Sequence, residues 1–190
     1  APAVATGVKI ANPDLSVWIV TGDGDALSIG GNHLLHIMRR NVDVNILLFN
    51  NRIYGLTKGQ TSPTSPIGRK TKTTPFGSVA RPVNPLAFAA GAGATFIARG
   101  IDRQIPQLSD LMRQAHEHKG TSFIEIMQNC NIFNDHAFEH FTDKSVKDDA
   151  QLTLEHGKPL IFGKEKDRGI RLNGFDLEVV SLADVDESEI

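Results

Sequence analysis

Two apolar runs of strand length, each closing directly on a polar turn, set the tightest limit on how this chain can fold. Leu15 to Val20 carries Val17, Trp18, Ile19 and Val20 and runs straight into Thr21-Gly22-Asp23-Gly24-Asp25, while Val44 to Phe49 closes on Asn50-Asn51. A nearly continuous apolar run suits a strand buried on both faces rather than one with a wet side. Between the two runs lies a helical pattern from Ala26 to Arg40. Leu34, Leu35, Ile37 and Met38 give it an apolar side, and Arg39 and Arg40 suit the negative end of its dipole.

The alternation continues along the chain. Asn84-Pro85 reads as a helix start, an Asn cap followed by proline at the first helical position, with Gly91 as the stop. Ala94 to Ala98 is a short strand, Pro106 to Lys119 a helix with Leu108, Leu111, Met112 and Ala115 on one side, and Ser122 to Met127 another strand. Strands alternating with helices through short connections predict an α/β fold, a parallel sheet with helices on both faces. From Asp143 the character changes: apolar runs shorten, acidic residues outnumber basic ones, and Asn173-Gly174 signals a turn. Residues 1–142 are therefore read as the main domain and 143–190 as a short C-terminal extension that packs on a partner subunit. The extension is expected to hold a hairpin or strand pair from Leu160 to Leu172 and a loosely ordered acidic end from Asp184 to Ile190.

With 190 residues, 40% of them hydrophobic, the chain can bury a core of its own. A net charge of -2 lacks the Lys/Arg excess that general nucleic-acid binding requires. No apolar run approaches a membrane span and no signal peptide pattern is visible, so a soluble cytoplasmic protein is expected. The single cysteine, Cys130, rules out an internal disulfide and fits a reducing compartment. The chain opens on Ala1-Pro2-Ala3-Val4, already helical in character on its way to a turn at Asn12-Pro13, and is read as a fragment whose missing N-terminal part completes the site.

In a parallel sheet, ligands bind beyond the carboxyl ends of the strands. Both Gly22-Asp23-Gly24-Asp25 and Asn50-Asn51 follow a predicted strand, so a carboxylate, a carboxamide and a glycine-rich backbone should face one crevice. Those are hard oxygen donors suited to magnesium, which is often held by one or two protein side chains together with phosphate oxygens. The glycines let backbone N–H groups approach a phosphate, and the helix that follows presents its positive end to it.

The paired elements resemble the thiamine diphosphate signature. Gly22-Asp23-Gly24-Asp25-Ala26-Leu27-Ser28-Ile29-Gly30-Gly31-Asn32-His33, and the run from Asn50-Asn51-Arg52-Ile53-Tyr54-Gly55-Leu56-Thr57-Lys58-Gly59-Gln60 to Thr64, resemble the beta subunit of 2-oxoacid:ferredoxin oxidoreductases of the 2-oxoglutarate type. The resemblance extends from Ala1 to about Phe133 and is not diagnostic beyond Asp143. It implies the diphosphate-binding domain of the thiamine diphosphate-binding fold, working with an alpha-type subunit. It further implies oxidative decarboxylation of a 2-oxoacid, with coenzyme A taking the acyl group and ferredoxin the electrons. By position, it implies that Asp23 and Asn51 bind Mg2+ through side-chain oxygens and Ile53 through its backbone carbonyl. Gly24 and Asp25 would contact the diphosphate, and Gly55 and Leu56 would border the reactive end. Cys130 would be the distant ligand of a [4Fe-4S] cluster whose other cysteines lie outside this chain.

Lys58, just past the metal ligands, is expected to face the substrate cavity and pair with the second carboxylate of 2-oxoglutarate; otherwise it is a solvated loop lysine. Arg52 to Arg81 contains Lys58, Arg69, Lys70 and Lys72 but no Asp or Glu, a basic loop that steers anionic substrates, docks acidic ferredoxin, or is simply solvated. His33 and His36 read as packing residues, His116 and His118 as surface residues, and Asn134-Asp135-His136 as a helix start. Two other readings stay open: a non-oxidative thiamine enzyme of the acetolactate synthase or decarboxylase type, and a catalytically silent assembly subunit.

Overall fold

A computed structural model describes residues 1–190, which divide into two units, Ala1–Ala137 and Phe138–Ile190. The composition boundary at Asp143 falls inside the second unit.

In the first unit the order is α1 (Pro2–Ala11), β1 (Trp18–Gly22), α2 (Asp23–Leu27), α3 (Gly31–Arg39), β2 (Asn45–Asn50), α4 (Pro85–Gly91), β3 (Phe96–Ile101), α5 (Ile105–Glu117) and β4 (Ser122–Met127). The strands form one parallel sheet in the order β1-β2-β4-β3. One face packs Ile19, Ile46, Leu48 and Phe123 against Ala5 of α1, Leu34, Ile37 and Met38 of α3, and Ala89 of α4. The other packs Leu47, Ile124 and Ile126 against Ala115, Leu108, Leu111 and Met112 of α5. Both faces are thus covered, as the sequence pattern predicts, and every residue of β4 is buried. Asn84 caps α4 as expected, its Oδ1 accepting the N–H groups of Leu86 at 3.1 Å and Ala87 at 3.2 Å.

Some expectations change. The helix predicted from Ala26 to Arg40 is two helices broken at Ser28–Gly30. Gly30 donates its N–H to the Asp25 carbonyl at 2.8 Å, and a β-carbon on it would come within 2.6 Å of that oxygen. Leu35 sits at the edge of the apolar stripe and is partly exposed. Strand β1 is not buried on both faces. It lies at the sheet edge, and Val20 is 65% exposed.

The second unit holds α6 (Glu139–Thr142), α7 (Lys147–Ala150), β5 (Ile161–Phe162), β6 (Arg168–Asn173) and β7 (Asp176–Ser181), the strands forming an antiparallel sheet in that order. The expected strand pair is therefore one of two. The unpredicted third strand follows from Gly174, whose φ of +64 allows the tight turn joining Asn173 to Asp176. The acidic end is ordered rather than loose. Asp186 and Glu189 form a capping box on a single 3-10 turn, Glu187–Glu189, and Glu189 pairs with Arg171 at 3.1 Å. The Asn134-Asp135-His136 stretch is not a helix start, since α6 begins only at Glu139.

Candidate cofactor site

Strands β1 and β2 run side by side with Gly22 opposite Phe49, so the turns that follow them emerge together at the carboxyl edge of the sheet. Asp23 is the first residue of α2 and is only 2% exposed. Its carboxylate accepts the hydroxyls of Ser62 and Thr64, both at 2.6 Å to Oδ2, and the backbone N–H of Asn51. Burial pushes the Asp23 carboxyl above the usual carboxylate range, and these donors offset part of that shift. The two residues singled out as metal ligands are therefore neighbours. In this state the Asn51 side-chain Oδ1 accepts the Ile53 N–H at 3.1 Å, which turns the chain back under the site, and Ile53 is buried.

Gly24 is buried, and a β-carbon built on it would run into the ring of Tyr54, whose hydroxyl donates to the Gly24 carbonyl at 2.8 Å. Asp25 is exposed at the helix start and accepts the Thr21 hydroxyl at 3.1 Å. Gly55 has open space where a side chain would be, and Leu56 projects fully into solvent. Lys58 is exposed with φ of +66, in a tight turn where Lys58 and Gly59 donate back to Gly55 and Tyr54. The basic loop folds over this edge. Ser62 and Thr64 reach Asp23, Ser65 Oγ donates to the Arg52 carbonyl at 2.7 Å, and Arg69 donates to the Phe133 carbonyl at 2.9 Å.

Cys130 is half-buried, with its thiol free, three residues beyond β4. Its carbonyl accepts the Asn134 N–H at 3.0 Å, and Asn134 Nδ2 donates to the Asn51 carbonyl at 2.8 Å. The cysteine turn is thus tied to the Asn51 loop. His33 is exposed, and His36 is half-buried with Nδ1 unpartnered. His116 is an exposed partner of Ser16, whereas His118 is half-buried beside Thr95.

Sequence reasoning passed over the residues that hold Asp23. Ser62 and Thr64 lie about 40 positions along the chain, and nothing local marks their return. Glu125, which accepts from Asn50 and is paired with Arg99, left one trace: a single charge inside the apolar strand Ser122–Met127.

The donor set is a buried carboxylate, a carboxamide and backbone carbonyls beside a glycine too close-packed for any side chain. Nowhere in the chain do three His, Cys, Asp or Glu side chains gather as a metal site. A hard divalent ion that takes its remaining ligands from a phosphate fits this set; a zinc-type ion does not.

Residues 1–126 match the family model described as thiamine pyrophosphate enzyme, C-terminal TPP binding domain. The whole chain is 52% identical to 2-oxoglutarate oxidoreductase subunit KorB of Mycobacterium tuberculosis, covering 51% of that protein. It is 43% identical over 142 residues to 2-oxoacid:ferredoxin oxidoreductase subunit beta of Saccharolobus solfataricus, which is 75% of this chain and 47% of the relative. Among solved structures it resembles 2-oxoglutarate:ferredoxin oxidoreductase from Magnetococcus marinus with 2-oxoglutarate, coenzyme A and succinyl-CoA bound. The TM-score is 0.70 at 43% identity, over 72% of this chain and 47% of that one. The chain spans about half the length of the curated relatives it matches.

Proposed function

Because the chain belongs to the thiamine pyrophosphate enzymes, among the 2-oxoacid:ferredoxin oxidoreductase beta subunits, we propose that it forms the diphosphate-and-magnesium half of a thiamine diphosphate site. The enzyme it serves oxidatively decarboxylates a 2-oxoacid, by preference 2-oxoglutarate, to the acyl-CoA with reduction of ferredoxin. One observation carries this reading: the Asp23 carboxylate accepts the backbone N–H of Asn51 where two adjacent parallel strands end. The names of the relatives, and the 2-oxoglutarate and coenzyme A in the solved neighbour, support the substrate. They also favour ferredoxin-linked chemistry over a non-oxidative thiamine enzyme or a silent subunit.

In this reading Asp23 and Asn51 hold Mg2+ through side-chain oxygens and Ile53 through its carbonyl. The Asn51 amide turns away from the Ile53 N–H to do so. Gly24 and Asp25 take the diphosphate at the start of α2, where backbone N–H groups are unpaired. Gly55 and Leu56 border the reacting end, and Lys58 pairs with the distal carboxylate of the substrate. Bound thiamine diphosphate supplies the electron sink for loss of carbon dioxide. The residues here anchor it, orient it and exclude water.

Cys130 gives one of the four thiolates a [4Fe-4S] cluster takes, the others coming from outside these 190 residues. The second unit packs on a partner, an alpha-type subunit supplies the rest of the cofactor site, and the complex works in the cytoplasm. No helix of the chain is long and apolar enough to cross a membrane.

The test is reconstitution of the full-length subunit with its partner. Mg2+-dependent binding of thiamine diphosphate and 2-oxoglutarate-dependent reduction of ferredoxin are expected, both abolished by Asp23→Ala. A wild-type complex that binds no thiamine diphosphate would overturn the proposal.

A further inference from the structure

An ion pair with a buried carboxylate lies beneath the site and touches neither the proposed ligands of the metal nor those of the diphosphate. Glu125, in the middle of β4, is 1% exposed. Its Oε2 accepts Nε and a terminal nitrogen of Arg99, each at 2.7 Å, and its Oε1 accepts Asn50 Nδ2 at 2.7 Å. Arg99 is paired with Glu125 across β3 and β4, and Leu48 is paired with Glu125 across β2, so Asn50 stands two residues further on the same face. The row then continues. Asn50 Oδ1 lies 2.9 Å from Thr64 Oγ1, which lies 2.6 Å from Asp23 Oδ2. An unbroken polar chain therefore crosses the sheet from β3 to the end of β1.

A carboxylate can only accept, so Glu125 takes the Asn50 NH2, and the Arg52 backbone N–H, 3.1 Å from Asn50 Oδ1, holds the amide the same way round. Its NH2 points down to Glu125 and its oxygen up to Thr64. The Thr64 hydroxyl has one proton, and its nearest acceptors are Asp23 Oδ2 at 2.6 Å and Asn50 Oδ1 at 2.9 Å. Turned the other way, Asn50 would donate to Thr64 and commit that proton wholly to Asp23. In the observed orientation Asp23 Oδ2, nearer and charged, takes the larger share of that proton, and the Asn50 oxygen is a second acceptor that keeps Thr64 from being committed to Asp23 alone. A carboxylate buried this deeply is poorly explained by stability alone, since an apolar residue of like volume often serves a core as well or better.

We propose that Arg99 and Glu125 are positioning residues that, through Asn50 and Thr64, set the geometry and donor load of the Asp23 carboxylate and so the affinity of the site for its divalent ion. This rests on the proposed function.

The test measures Mg2+ affinity at saturating thiamine diphosphate in the reconstituted complex, for Glu125→Gln, Thr64→Val and the double variant. Glu125→Gln is expected to weaken Mg2+ binding by about tenfold or more, the usual effect of removing a partner that orients a ligand. In the Thr64→Val background the same substitution should add little, because the link to Asp23 is already cut. Arg99→Gln, at a side chain 40% exposed, should move the affinity the same way and serves if Glu125→Gln does not assemble. Unchanged affinity in Glu125→Gln or Arg99→Gln, or additive effects in the double variant, would overturn the inference while leaving the cofactor site intact. Wild-type complex that binds thiamine diphosphate without any need of a divalent ion would overturn both.

Discussion

Tyr54 closes over the backbone of Gly24: its hydroxyl donates to the Gly24 carbonyl at 2.8 Å, and its ring fills the space a β-carbon on Gly24 would need. The two loops that build the site are thus fitted together at one glycine and one aromatic ring. Gly24→Ala should expel the ring, open the contact between α2 and the Asn51 loop, and cost thiamine diphosphate affinity heavily. Tyr54→Phe keeps the ring and loses one hydrogen bond, an effect of about 1 kcal/mol. Cofactor titration of the two variants checks the order; equal losses would mean that ring packing is not what matters.

Asp23 makes the site costly to keep empty. Burial raises its carboxyl above the ordinary value, with Ser62, Thr64 and the Asn51 N–H restoring part of the balance. The folded chain therefore keeps this proton to higher pH than the unfolded chain does. Where the unfolded state binds fewer protons, stability falls as pH rises. The fall begins near the unfolded carboxylate value of about 4 and ends at the raised folded value. Asp23→Asn should remove this slope, so that without Mg2+ and cofactor it melts at or above the wild-type temperature at neutral pH. With cofactor at 100 times its Kd, wild type should gain about 2.7 kcal/mol and Asp23→Asn nothing. Melting curves across pH, with and without ligand, decide the point.

These two residues also show what sequence alone could carry. That Asp23 and Asn51 come together was readable because each sits in a short motif directly after an apolar strand, where the fold fixes its place. The split between α2 and α3 was half visible in Gly30-Gly31, yet the break depends on how closely Gly30 approaches the Asp25 carbonyl. Val20 looked like a core residue because its run is apolar, and no local pattern says that its strand lies at an edge. Ser62 and Thr64 were unreadable for a plainer reason. Their role exists only once a loop from Arg52 to Arg81 has folded back on the start of α2, a matter of tertiary closure rather than of local spacing.

Lys58 stands exposed in a left-handed turn two residues past the solvent-facing Leu56. If it pairs with the distal carboxylate of the substrate, its loss should be selective. Lys58→Ala is expected to raise KM for 2-oxoglutarate by about tenfold, the worth of one partly screened ion pair of about 1.4 kcal/mol, and to leave pyruvate turnover unchanged. Steady-state kinetics on both substrates is the measurement. Parallel losses on the two would reduce Lys58 to a loop residue.

Asn134 ties the Cys130 turn to the Asn51 loop, its backbone N–H on the Cys130 carbonyl and its side-chain NH2 on the Asn51 carbonyl. It is buried, so replacing it leaves the Asn51 carbonyl without its donor, at a cost of about 1–3 kcal/mol. Asn134→Ala should therefore lower the melting temperature and weaken Mg2+ binding, since the loop it steadies carries Asn51. Cys130→Ser touches no such bond. In the intact complex it should deplete iron and acid-labile sulfide and stop ferredoxin reduction, while thiamine diphosphate still binds with wild-type affinity. Iron analysis beside cofactor titration separates the two residues. Cofactor loss in Cys130→Ser, or full iron content with normal electron transfer, would remove Cys130 from the electron path.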